Sequence, residues 1–368
     1  EVLNLTTGDK QTAINVENTS AGTETNLTTG AGDDVINIRA AQGPLVLDLQ
    51  QGHDTAILGS LAPLIGGTLD DVIDGLKIWN LGQPVMMIGG TLDAINGLVT
   101  LTAGEGLDVL NIEETADATD NSGWLTASGL TGLGMTAGVS YNGFENLEVS
   151  LGSGDDTFTV DSTMMRPDYR TVTVVNTGIG DDQVTIDLHD GSDGFFSLNT
   201  ESGNDTIDAS SSTLPLIVFG GEDDDVITTG SGGDLVLGDK GVVDYLDETG
   251  TLVTRLGIGL EERGTIDVPL NQTDGTAYPI TMAKTIDDDI GGVDEIDGGD
   301  GFDVILGGAE GDLLTAQLGD NVILGDAGVV NLNNTSSNDV FTTHSSIGGV
   351  DTITGGGNGR NIIIGGAQ

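Results

Sequence analysis

Apolar residues in this chain recur in short alternating runs rather than in helical stripes. The segments "LVLDL" (45–49), "TVTVV" (171–175), "QVTIDL" (183–188), "LPLIVF" (214–219) and "NIIIGG" (361–366) are rich in Val, Ile and Thr and bordered by Gly or Asn. A period of two sends successive side chains to opposite faces of a strand, and Gly, Asn and Asp end each run in a turn. No capped segment carries an apolar period of 3.6, so the pattern predicts an all-β chain of many short strands.

A second rhythm is laid over the first. In "IGGVDEIDGGDGFDVILGGAEGDLLTAQLGDNVILGDAG" (290–328), Asp294, Asp303, Asp312 and Asn321 return every nine residues, and Ile296, Ile305, Leu314 and Ile323 stand two places after them. The same unit runs through Asp225 and Asp234, followed by Ile227 and Val236. It occurs singly around Asp34, Asp108, Asp156, Asp182 and Asp205, at spacings of 26 residues from Asp156 to Asp182 and 23 from Asp182 to Asp205. "IGGTLDDVIDGL" at 65 and "IGGTLDAINGLV" at 88 are also offset by 23, and "LVLGDKGVV" at 235 returns as "VILGDAGVV" at 322. Self-similarity at such periods is the mark of a stacked repeat architecture.

The expected fold is a parallel β-solenoid, a β-helix or β-roll with Gly/Asp-rich turns of about 23 residues stacked ~4.8 Å apart. Three segments are expected. Residues 1–240 carry sparse Asp turns, 241–289 form a lateral insertion, and 290–368 carry the dense repeat. "VVDYLDETGTLVTRL" (242–256) and "VVNLNNTSSNDVFTTH" (329–344) follow the two equivalent "LGD" turns, and both read as hairpins projecting from the rod at homologous positions.

Charge changes this picture from a scaffold to a chemical question. The chain has 59 acidic and 10 basic residues, a net charge of -49, no Cys, and 60 Gly against 7 Pro. Such a balance rejects nucleic acid and makes a compact chain repel itself, yet 37% hydrophobic residues are enough to fill a narrow core. No apolar run is long enough for a membrane span. Two carboxylates stacked about 5 Å apart repel by roughly 1 kcal/mol in water and several times that at lower effective dielectric. A row of them calls for cations, and Ca²⁺ accepts six to eight hard oxygen ligands from carboxylates and carbonyls alike.

The nine-residue unit resembles the RTX (hemolysin-type) nonapeptide G-G-x-G-x-D-x-U-x, which "GGDGFDVIL" (298–306) matches at every defined position. That resemblance implies a calcium-bound β-roll, folding after export into calcium-rich surroundings. Its ligands would be Asp225, Asp234, Asp294, Asp303 and Asp312, with Asn321 as a neutral, weaker member. The isolated units at Asp34, Asp108, Asp156, Asp182 and Asp205 carry the same expectation more loosely, because no adjacent nonapeptide shares the ion. "GGGNGRNIII" places Arg360 and Asn361 where the acid belongs, so the last turn is expected to be metal-free. The mixture of blocks is also similar to giant repetitive bacterial surface proteins.

Enzyme signatures are weak. His53, His189 and His344 are far apart in polar turns, and no nucleophile elbow, H-E-x-x-H or phosphate-binding loop occurs. Arg166, Asp168, Tyr169 and Arg170 in "MMRPDYR" are the one cluster a polysaccharide lyase could use, and a lateral loop explains them better. Arg255, Arg263 and Lys284 suggest either a basic flank that meets acidic turns of another copy, head-to-tail or laterally, or local ion pairs. Trp79, Met86 and Met87 are expected either to fill the core or to form a contact patch. Adjacent acids such as Asp33 and Asp34 should point to opposite faces, one ligand and one solvated charge. The reading is a non-catalytic, calcium-stabilised extracellular segment of a bacterial surface fibre or adhesin-like protein. Two alternatives are an RTX secretion module of a secreted enzyme and a calcium-dependent glycan-binding adhesin.

Overall fold

A computed structural model of the chain describes residues 1–59, 68–73, 76–80, 89–166, 169–247, 249–257, 276, 278–332, 339–344, 346–357 and 359–366, with 68–80 as backbone. Met86, Met87, Asp168 and Arg263 lie outside the described residues, as does the side chain of Trp79. Every element is a strand, and among the described residues there is no helix that could cross a membrane. Two compact units are present, residues 1–156 and residues 157–272 with 276–368.

In the first unit consecutive strands alternate between two sheets. One sheet pairs Val2–Thr6, Glu24–Thr28, Leu45–Asp48, Val99–Thr102 and Val139–Asn142 in parallel. The hairpin Ser122–Thr126/Gly129–Gly132 then adds antiparallel strands to it. The other sheet pairs Ala13–Val16, Val35–Ile38, Thr55–Leu58, Val109–Glu113 and Asn146–Ser150 in parallel. Its first strand is flanked antiparallel by Leu76–Asn80, which pairs with Thr68–Ile73. Register is set by alternation: Ile14, Ile36, Ala56, Leu110 and Leu147 align strand to strand and are all buried. A slip of one residue would turn this apolar column outward, so burial holds the register.

The second unit repeats the scheme with a denser rhythm. Thr157–Val160, Gln183–Ile186, Thr206–Asp208, Val226–Thr228, Glu295–Asp297, Leu313–Thr315 and Thr352–Thr354 form one parallel sheet. Val172–Asn176, Phe195–Asn199, Leu216–Gly221, Leu235–Asp239, Val304–Gly308, Val322–Asp326 and Ile362–Ile364 form the other. Consecutive nonapeptides feed opposite sheets, so a residue pairs with the one eighteen positions on, as Leu306 does with Leu324.

Both segments are hairpins, Gly241–Leu246 with Leu252–Leu256 and Gly328–Asn331 with Val340–Thr342, but they do not stand apart from each other. They join in one five-stranded antiparallel sheet ordered Leu252–Leu256, Gly241–Leu246, Ile280–Thr285, Gly328–Asn331, Val340–Thr342. Strands fully apolar on both faces explain the difference. Ile217, Phe219, Leu235, Leu237, Val304, Leu306, Val322 and Leu324 face away from the buried column of Val218, Val236, Ile305 and Ile323. They are covered by Val243, Tyr245, Leu256, Ala283 and Val330 of the insertion sheet. A projecting hairpin would leave this face in water at about 25 cal/mol per Å².

The aromatic edge of this second core absorbs the Arg cluster. Arg170 lies 4.0 Å from the ring centre of Phe195 and 5.1 Å from that of Tyr245, and Arg166 stacks on Tyr169 at 5.1 Å. Arg255 makes a bidentate pair with Asp244, 2.5 Å from Nε and 2.7 Å from Nη2, which is the local ion pair.

Candidate functional site: rows of buried carboxylates

Every acidic residue singled out by the repeat occupies the same local position, the residue immediately before a strand. Asp34 and Asp108 precede strands of the second sheet in the first unit, as does Asp54 between them. In the second unit Asp182, Asp205, Asp225, Asp294, Asp312 and Asp351 precede strands of one sheet, and Asp234, Asp303, Asn321 and Asn361 precede strands of the other. Acids nine residues apart therefore fall in different rows. The nine-residue rhythm is two rows read alternately.

Within a row, each backbone amide donates to the side chain of the next member. Thr12 N donates to Asp34 Oδ1 at 2.6 Å, Asp34 N to Asp54 at 2.7 Å, Asp54 N to Asp108 at 2.8 Å, and Asp108 N to Glu145 Oε2 at 2.7 Å. Asn121 N donates to Asp156 Oδ1 at 2.7 Å. In the second unit the links run from Asp182 through Asp205, Asp225, Asp294 and Asp312 to Asp351, at 2.7–3.1 Å. The other row runs from Leu216 N through Asp234, Asp303 and Asn321 to Asn361, at 2.8–3.1 Å. Each backbone carbonyl meanwhile accepts from the strand that follows, as Asp294 O does from Leu313 N at 2.8 Å. One residue thus joins two repeats through both backbone and side chain.

Before Asp34, Asp54, Asp182, Asp225 and Asn321 stands an exposed polar companion whose side chain accepts from a different repeat. His53 N donates to Asp33 Oδ1, Leu107 N to His53 Nδ1, Asn204 N to Asp181 Oδ1, Val293 N to Asp224 Oδ1 and Arg360 N to Asp320 Oδ1, at 2.7–3.0 Å. The Asp-Asp pairs are therefore one buried and one exposed acid. His53 holds a place in this outer series. His344 is tied by Nδ1 to Asp288 at 2.5 Å, while His189 is exposed near Asp187.

Several of the inner acids engage only one carboxylate oxygen. Oδ1 of each acid is used, but Oδ2 of Asp54, Asp225, Asp294, Asp303 and Asp312 is buried without a hydrogen-bond partner. Burial, opposed by the amide bond from the preceding repeat and reinforced by neighbouring acids, raises these carboxyls from 3.8 to about 7 for Asp54 and Asp303, about 9 for Asp312 and about 10 for Asp225. Asp294 is raised to about 7 and Asp205 to about 8, again chiefly by burial. Asp34, Asp156, Asp234 and Asp351 are raised for the same first reason.

Glycine makes room for the second oxygen. A Cβ on Gly220, Gly238, Gly307 or Gly325 would clash with Oδ2 of Asp225, Asp294, Asp312 or Asp351 respectively. At the second glycine of two units an acid stands instead. Asp239 accepts from Gly292 N at 3.1 Å and from Ala309 N, closing the gap left where the chain departs into the insertion sheet. Asp326 is its equivalent before the second departure and is fully buried.

Asp54, Asp351, Glu145, Asp239 and Asp326 were not among the sequence candidates. Asp351 was legible, since "IGGVDTI" copies "IGGVDEI", and Asp54 was partly so, with Gly52 two places before and Ala56 two after. Glu145 in "NGFENLEV" keeps the frame, with Gly143 two places before and Leu147 two after, but carries Glu where the repeat has Asp. Among the described residues no three His, Asp or Glu side chains converge in a metal-holding group. No protein-family model matches the chain, and no curated protein matches it either.

Proposed function

We propose that each unit is a parallel β-solenoid whose acid rows are neutralised by Ca²⁺, and that the chain is a structural, non-catalytic segment of an extracellular bacterial surface fibre or adhesin-like protein. The observation that carries this reading is the series of buried carboxylates whose second oxygens have no partner. Stacked at about 5 Å with an effective dielectric near 20, each neighbouring ionised pair is disfavoured by roughly 3 kcal/mol, and hydrogen bonding by one oxygen leaves that repulsion in place. Hard cations among the rows would remove it. Paired carboxylate oxygens suit Ca²⁺, and turn carbonyls with water would complete a shell of six to eight. Resemblance of 298–306 to the RTX nonapeptide supports the same ion. Further copies or repeats of the same kind, stacked strand on strand as the repeats within each unit are, would be the natural partners.

Calcium titration of chelated protein, followed by far-ultraviolet circular dichroism and sedimentation, tests the reading with Asp303→Ala/Asp312→Ala as control. Cooperative gain of β signal and compactness is expected at micromolar to millimolar Ca²⁺, with the midpoint shifted in the double variant. A protein fully folded in chelator and indifferent to calcium would remove the ion from the proposal and leave strand stacking alone.

A further inference from the structure

Glu114 is buried without belonging to any row. It follows the strand Val109–Glu113 and continues the alternation of Leu110 and Ile112, both buried, yet it carries a carboxylate. Its exposure is 1%, and neither Oε1 nor Oε2 has a hydrogen-bond partner. Row members differ in this respect, since each accepts an amide proton. The charges acting on Glu114 are all negative, from Asp117, Asp156 and Asp93.

Those neighbours are held in place. Asp117 accepts from Thr119 N at 2.9 Å, Thr119 Oγ1 at 2.6 Å and Asn121 Nδ2 at 3.1 Å. Asn121 N in turn donates to Asp156 at 2.7 Å. Ser153 N donates to Asp117 O at 2.8 Å, folding the segment before Asp156 against the turn after Glu114. Gly152 permits that approach: a Cβ there would clash with Asp117 O and stand 3.2 Å from Glu114 O.

Protonation alone does not satisfy such a group, because the hydroxyl would lack an acceptor and the carbonyl a donor. A cation does both tasks at once, binding the two oxygens and balancing the surrounding acids. We propose that Glu114 is the chelating anion of a hard divalent cation site of the Ca²⁺ type, at the 114–117/152–156 corner of the first unit, beside the repeat acid Asp156 and away from the rows of the second unit. Since no three acidic side chains converge here, neighbouring oxygens and water supply the rest of the shell.

Equilibrium dialysis against Ca²⁺ and thermal melts in calcium and in chelator test this on the full chain, comparing wild type, Glu114→Gln, Glu114→Asp and the row variant Asp303→Asn/Asp312→Asn. Glu114→Gln should bind one Ca²⁺ fewer per chain. It should also melt above wild type in chelator and show a smaller calcium-induced shift. If Glu114→Gln fails to fold, Glu114→Asp, which keeps the charge on a shorter arm, should retain the fold with weakened affinity for one ion. Unchanged calcium counts and shifts in folded Glu114 variants overturn the site. The row proposal stands if the row variant alone loses ions, and both proposals fall if wild type binds none.

Discussion

An aspartate placed just before a strand has two oxygens with different fates. In Asp312, Oδ1 receives the amide of Asp294, while Oδ2 is sealed beside Gly307 with no donor. The chain itself contains the isosteric control, since Asn321 and Asn361 hold the same place with an amide. Asp312→Asn should therefore keep the inter-repeat bond, raise the urea midpoint in chelator, and reduce any gain from calcium. Asp303→Ala loses the acceptor for the amide of its row neighbour Asp234 and should lower stability by about 1–3 kcal/mol in either condition. Gly307→Ala forces a methyl onto Asp312 Oδ2 and Gly325 O, and a loss of about 1–3 kcal/mol is expected by the same urea measurement. Equal midpoints for Gly307→Ala and wild type would show that the close approach is relaxed in solution. These residue roles were largely legible, because a Gly-x-Asp-x-apolar frame is a local signal. Glu145 was legible in part, since Gly143 and Leu147 give it that frame with a longer acid, whereas nothing within a few residues distinguishes Glu114 from a solvated acid.

At the scale of elements, the short strands follow from alternation, but their second faces do not. Leu235, Leu237, Val304 and Leu306 make their strands apolar on both sides, and this is the sequence trace of a covering layer. The insertion sheet supplies it, clasped at one corner by Arg170 between Phe195 and Tyr245, whose rings meet edge to face at 6.3 Å. Arg170→Ala should loosen this layer by about 1–2 kcal/mol, a magnitude typical of desolvated cation–π contacts. Hydrogen exchange should then accelerate in Gly241–Leu246 and Leu252–Leu256 while Gln183–Ile186 keeps its protection. Uniform acceleration would mean that the sheets unfold together.

For the whole molecule, the sign of the pH response distinguishes bare rows from filled ones. The acid rows are raised from 3.8 to about 7 at Asp54, Asp294 and Asp303, about 8 at Asp205, about 9 at Asp312 and about 10 at Asp225. A folded state with raised carboxyls binds more protons than the unfolded chain between these limits. Its stability is then full below about pH 4 as far as these groups are concerned, and it is lost as pH rises through 7 to 10. Chelated protein should accordingly melt higher at pH 5 than at pH 9, and saturating Ca²⁺ should flatten or invert that slope. A higher melting temperature at pH 9 in chelator would contradict burial of the rows as uncompensated acids. The net charge of -49 acts in the same direction, since self-repulsion grows as carboxyls ionise.

Alternation and turn chemistry are properties of a few neighbouring residues, so the sequence by itself determined an all-β chain of short strands, with acid-bearing turns at strand entries. Stacking is a property of distant ones. Asp225 meets Asp294 across 69 residues because an insertion intervenes, and Asp294 meets Asp312 rather than Asp303 because each nonapeptide feeds the opposite sheet. No local pattern encodes such pairings. Tertiary structure alone decided which acids share a row, which oxygens are left without partners, and that two insertions join in one covering sheet. The reason is that burial and charge energies depend on what the fold brings together across the chain.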